Sequence, residues 1–168
     1  VGASTLMSLR LGQKDSNSAN NILGNVFVLN VLFGLAYTII VLLFLDPILY
    51  FFGASKETLP FAHDFMVIIS LGNVITHMYF GLNAMLRATG NPQKSMYAII
   101  FSVIINVILA PLFIFGFGWG IRGAAIATIS AQTIMLLWQI RHFTNRKNSI
   151  HLKKGALRLK RKIVADSL

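Results

Sequence analysis

Four long runs of apolar residues without a single Asp, Glu, Lys or Arg recur along this chain, at about residues 22–45, 65–86, 95–115 and 124–140. At ~1.5 Å of rise per residue, runs of this length reach across ~30 Å of hydrocarbon as helices. One such run would fit the buried centre of a soluble protein, but four in succession do not. The pattern predicts an all-α fold, a polytopic membrane helix bundle. It has four full transmembrane helices, preceded by the end of another helix that closes at Arg10-Leu11-Gly12.

The polar punctuation fits the same reading. Asp15 or Ser16 is placed to cap the first span, Asp46-Pro47 to stop it, and Tyr50-Phe51-Phe52 to sit at an interface before Gly53-Ala54-Ser55 opens a new start. Further on, Gly90 suits the left-handed position past a helix end, Asn91 an N-cap, and Pro92 the first helical position. Within the spans a few polar side chains stand out. Asn30, Gly34 and Tyr37 form a small and polar stripe, and Asn73 and His77, four apart, share a helix face with Asn83 following. Ser102 and Asn106 lie in the third span, and Thr128, Ser130, Gln132 and Gln139 in the fourth.

Composition agrees, with 55% hydrophobic and 12% charged residues. The formal charge of +10 does not point to nucleic acid, because nine of the fifteen Lys and Arg lie between Arg141 and Lys162. If alternate connections face alternate sides, Arg10, Lys14, Arg87, Lys94 and those nine residues share one side, leaving Lys56 and Arg122 on the other. By the positive-inside rule the first side is cytoplasmic, and segments 46–64 and 116–123 are external. In the tail, residues 141–168, Leu152, Ala156, Leu159 and Ile163 repeat at helical spacing among basic residues. That pattern describes either an amphipathic helix on anionic lipid or a solvated linker.

Catalytic chemistry has little to draw on. There is no cysteine, four scattered histidines give no metal-ligand spacing, and the spans hold no acid. Gly118-Trp119-Gly120-Ile121-Arg122-Gly123 spells G-x-G-x-x-G, but it follows an apolar helix rather than a strand and has no acidic residue about twenty positions on. It reads as an external turn.

Three stretches resemble, in order and spacing, signatures of the multidrug and toxic compound extrusion (MATE) transporters. They are Arg87-Ala88-Thr89-Gly90-Asn91-Pro92, the run from Asn106 through Ala110-Pro111 to Phe115, and Gly118-Trp119-Gly120-Ile121-Arg122-Gly123-Ala124-Ala125-Ile126-Ala127-Thr128. The resemblance implies a two-lobe, twelve-helix transporter. Residues 1–140 would then be most of its N-terminal lobe, and residues 141–168 the basic cytoplasmic connector to the second. It further implies a cation and substrate site to which Asn106 and Thr128 contribute. The family often places an Asp where this chain has Ala110, and a first-helix Asp would lie before Val1.

Four functional readings follow. The leading one is a secondary active antiporter in the cell membrane, exporting drug-like and often cationic compounds in exchange for Na⁺ or H⁺, with no cofactor and no enzymatic activity. Asn106 and Thr128 are its first site candidates, with Asn73, His77 and Asn83 as further intramembrane candidates. A flippase for lipid-linked substrates of the same superfamily would be expected to line its cavity with Lys or Arg, and none lies in the four spans. A non-transporting membrane scaffold would have evenly apolar spans, and an intramembrane enzyme would need an acid, a thiol or paired histidines.

Overall fold

The structure, a computed structural model, describes residues 2–145 and 150–151. Among the described residues seven α-helices follow one another: α1 (Gly2–Gly12), α2 (Ser16–Leu43), α3 (Leu45–Phe51), α4 (Leu59–Leu71), α5 (Asn73–Ala88), α6 (Pro92–Pro111) and α7 (Gly120–Thr144). A π-helical turn, Leu112–Gly116, extends α6 beyond Pro111. α2, α6 with its turn, and α7 are each long and apolar enough to cross a membrane, and α4 with α5, if the bent pair is one span, is a fourth by length and composition. The basic repeat of the tail falls outside the described residues.

Local chemistry sets the element ends. The Asp15 carboxylate accepts the Ser18 N–H at 3.0 Å and starts α2. Gly90 has φ +77° between α5 and α6, a backbone that L side chains rarely adopt, and Pro92 opens α6. Asn91 stands at the N-cap without capping through its side chain, which instead donates to the Thr89 carbonyl at 3.1 Å.

Two expectations are corrected. Asp46-Pro47 does not stop the first span. α2 ends at Leu43, and Asp46 and Pro47 lie inside the first turn of α3, where a proline needs no N–H partner and an acid suits the helix dipole. The second span is not one straight helix either, since it breaks at Gly72 with a bend of 52°. Glycine weakens the helix there. Bonds from the neighbouring helix hold the bend: the Thr38 hydroxyl donates to the Ser70 carbonyl at 2.8 Å, and Asn73 Nδ2 donates to the Gly34 carbonyl at 3.4 Å. α2 comes close enough for this because Gly34 has no side chain; a Cβ built there would lie 2.9 Å from the Val74 Cα.

The core lies at one end of the bundle, where Met7, Ile22, Leu23, Leu82, Met85, Leu86 and Phe143 are fully buried between α1, α2, α5 and α7. The outer face of α6 is the reverse, with Val107 and Ile108 each 63% exposed, as expected of a surface solvated by lipid. Arg122 pairs with Asp64 at 2.8 Å, which brings the 46–64 and 116–123 segments to the same end of the bundle. At the opposite end the His151 N–H donates to Asn20 Oδ1 at 2.9 Å, seating residues 150–151 beneath the start of α2.

Candidate functional site

α6 and α7 run side by side after the short turn between them, and this brings the first two candidates together. Asn106 Nδ2 donates to Thr128 Oγ1 at 3.1 Å, while the Thr128 hydroxyl donates to its own helix at the Ala124 carbonyl, also at 3.1 Å. Both side chains are half-buried and open into a pocket of about 230 Å³ whose polar lining is completed by Tyr79, Ser102 and Gln132. Gln132 is held in place from α5, since its Oε1 accepts the Thr76 hydroxyl at 2.6 Å. Tyr79 donates to the Ala98 carbonyl at 3.2 Å. Ala131, Ile99 and Val103 form the apolar wall, and Phe80 stands at the rim, 55% exposed.

Oxygen and amide dipoles beside an aromatic ring can orient an organic molecule and accept its hydrogen bonds. They are a weaker host for a bare cation, because every polar group in the lining is neutral and carboxylates normally offset the cost of dehydration. Among the described residues no group of three His, Asp or Glu is placed to hold a metal ion.

The other three candidates lie elsewhere. Asn73 faces α2 and holds the bend, and His77 meets Tyr37 edge-on with ring centroids 6.2 Å apart, so both serve the α2–α5 contact in this structure. Asn83 is buried and bonded to Ser95 and Arg87 near the end of α5. None of the three lines the pocket. Ser102 and Gln132 stand out in the sequence as polar residues of their spans but are not among the site candidates, although the signal was present: Ser102 is four residues before Asn106, and Gln132 four after Thr128, on the same helix faces.

A bundle of crossing apolar helices with a small, neutral, polar pocket between them defines a multi-pass membrane protein. The MatE family model matches residues 1–112, and the chain belongs to that family. Among curated relatives, the multidrug export protein MepA of Staphylococcus haemolyticus is 33% identical over 150 residues, 89% of this chain and 33% of the relative. MepA of Staphylococcus aureus strain RF122 is 31% identical over 155 residues, 91% of this chain and 34% of the relative. The chain thus spans about a third of the length of these relatives. A solved inward-facing conformation of a multidrug resistance MATE family transporter of the MOP superfamily superposes over 100% of this chain and 38% of its own. Its TM-score is 0.94 and its sequence identity 26%.

Proposed function

We propose that this chain is part of an alternating-access exporter that moves drug-like, often cationic compounds out of the cell in exchange for Na⁺ or H⁺. In this reading the Asn106–Thr128 pocket contributes to the substrate and cation path. The observation that carries the proposal is the 3.1 Å bond between those two side chains, made in the lining of a pocket whose polar groups come from α5, α6 and α7. An intramembrane polar pair could be simple glue between helices. Here it comes with Ser102, Tyr79 and Gln132 around open space, which glue alone does not require.

The rigid-lobe part of the proposal has independent support. The same chain superposes on an outward-facing MATE family structure, 26% identical, with a TM-score of 0.91 over 99% of its length, nearly as well as on the inward-facing one. A similar fit to both conformations supports a unit that keeps its shape between them, as rocking lobes would require. The coupling cation needs a charge that this pocket does not supply, so we assign that carboxylate to another part of the polypeptide. In this reading the positive-inside rule puts Arg87 and Arg141 on the cytoplasmic side, with Arg122 and Lys56 outside. The absence of Lys and Arg from the pocket lining speaks against a flippase for anionic lipid-linked cargo.

The test is efflux of a fluorescent organic cation from proteoliposomes holding the full-length transporter, driven in turn by a Na⁺ gradient and a pH gradient. Efflux under at least one gradient is expected. No efflux under either, from folded protein, would overturn the proposal.

A further inference from the structure

Thr76 does not line the pocket, yet its hydroxyl decides what one wall of the pocket presents. It stands on α5 one turn after the bend, with two acceptors in reach of its single proton: Gln132 Oε1 on α7 at 2.6 Å and the Gly72 carbonyl on its own chain at 3.4 Å. The shorter contact takes the proton, and the Gly72 carbonyl already accepts the Thr76 N–H at 3.1 Å. That short distance also orients the Gln132 carboxamide. A spacing of 2.6 Å fits an O–H···O bond, usually about 2.7 Å, and is too short for an amide N–H···O bond, usually about 2.9 Å. The Gln132 oxygen therefore faces Thr76, and its NH2 group is the end left for the cavity.

Close packing keeps this register. Gly72 leaves room for Ile129, three residues before Gln132 on α7, and a Cβ built at Gly72 would run into Ile129 Cδ1. The Gly72–Ile129 and Thr76–Gln132 contacts thus lie about one turn apart on both helices, holding α5 and α7 together at two successive points.

The other donors of the lining are largely spent. Thr128 gives its proton to the Ala124 carbonyl and Tyr79 to the Ala98 carbonyl, Ser102 bonds to the Tyr79 hydroxyl, and Asn106 uses one Nδ2 hydrogen on Thr128. Gln132 Nε2 keeps both of its hydrogens, with no partner among the described residues. A half-buried amide donor beside open space is satisfied best by a guest that accepts from it.

We propose that Thr76 is a positioning residue for Gln132, and that the pair selects compounds carrying a hydrogen-bond acceptor, such as a carbonyl oxygen, beside their cationic or apolar part. This deepens the reading of the pocket as part of the substrate path and rests on it. Without the Thr76 clamp the carboxamide is free to turn its own oxygen toward the cavity, where it opposes the acceptor that the NH2 group would bind.

The test is equilibrium binding of two fluorescent cations to the purified full-length transporter: a styrylpyridinium bearing a methyl ester, and the same cation with a sec-butyl group in its place. They match in charge and shape and differ in the acceptor, so the ratio of their Kd values reports Gln132. Relative to Gln132→Leu, wild type should favour the ester by about tenfold, the equivalent of one hydrogen bond. Thr76→Val should bring the ratio to that of Gln132→Leu, whereas Thr76→Ser, which keeps the hydroxyl, should hold it at the wild-type value. A merely structural role for Thr76 would move melting temperature and both affinities together and leave the ratio alone. If Thr76→Val does not fold, Thr76→Ala carries the comparison. A wild-type ratio equal to that of Gln132→Leu, or a wild-type ratio retained in the folded Thr76 variants that lack the hydroxyl, would overturn this inference and leave the exporter reading standing. Binding of neither cation by folded wild type would overturn both.

Discussion

The Thr38 hydroxyl on α2 donates to the Ser70 carbonyl at 2.8 Å, two residues before the α4–α5 crossing breaks at Gly72. A broken helix frees backbone groups that hydrocarbon cannot satisfy, and here a side chain from the next helix satisfies one of them. Thr38→Val keeps the shape and removes the donor. It should destabilise the full-length protein by about 1 kcal/mol, and by up to about 3 if the Ser70 carbonyl stays dry. Thr38→Ser should be close to neutral. Thermal unfolding in detergent checks both, and equal melting temperatures for Val and Ser would show that the bond does not hold the bend.

The pH dependence of the α2 start follows from Asp15. Its carboxyl is held below the ordinary value, first by the Ser18 hydroxyl and then by the Ser18 backbone N–H. A depressed carboxyl means that the unfolded chain binds more protons as pH falls. The contribution is therefore fully present above the unfolded-state value and is lost as pH drops through the folded one. Hydrogen exchange in the first turn of α2 should accelerate as pH is lowered through that range, after correction for intrinsic exchange. Asp15→Asn, which still caps but does not titrate, should flatten that response. An unchanged pH profile in Asp15→Asn would place the titration elsewhere.

These two cases mark what the sequence discloses and what it hides. Asp15, Gly90 and Pro92 act through their own backbone neighbourhood, so their roles are legible from residue type and position alone. The bend at Gly72 was not legible, because the apolar run continues past it without a proline and the groups that hold it, Thr38 and Gly34, are more than thirty residues away. Asn106 and Thr128 could be paired only through the family resemblance. Periodicity then leads from them to Ser102 and Gln132, but the reach of Thr76 to Gln132 depends on how α5 packs against α7. For Asn73, His77 and Asn83, residue type suggested function, whereas the structure commits their side chains to contacts between helices.

Ala110 tests whether the region below Asn106 admits a charge. It lies one helical turn from Asn106 on α6 and is half-buried. An aspartate there costs ~3 kcal/mol by insertion scales if the surroundings are dry. In a water-filled path, Ala110→Asp should fold and should make efflux by the full-length protein more dependent on Na⁺ or pH. A fall in expression and melting temperature with no change in ion dependence would mean that the residue packs in a dry helix contact.

The central claim, that the Asn106–Thr128 pair is part of the substrate site, is tested most directly by equilibrium binding of a fluorescent organic cation to the purified full-length transporter. Asn106→Ala and Thr128→Val are each expected to raise Kd about tenfold, the equivalent of one hydrogen bond. Because the two side chains share a bond at 3.1 Å, the double variant should bind about as weakly as either single one rather than a hundredfold more weakly. Wild-type Kd in both single variants, with unchanged melting temperatures, would contradict the account.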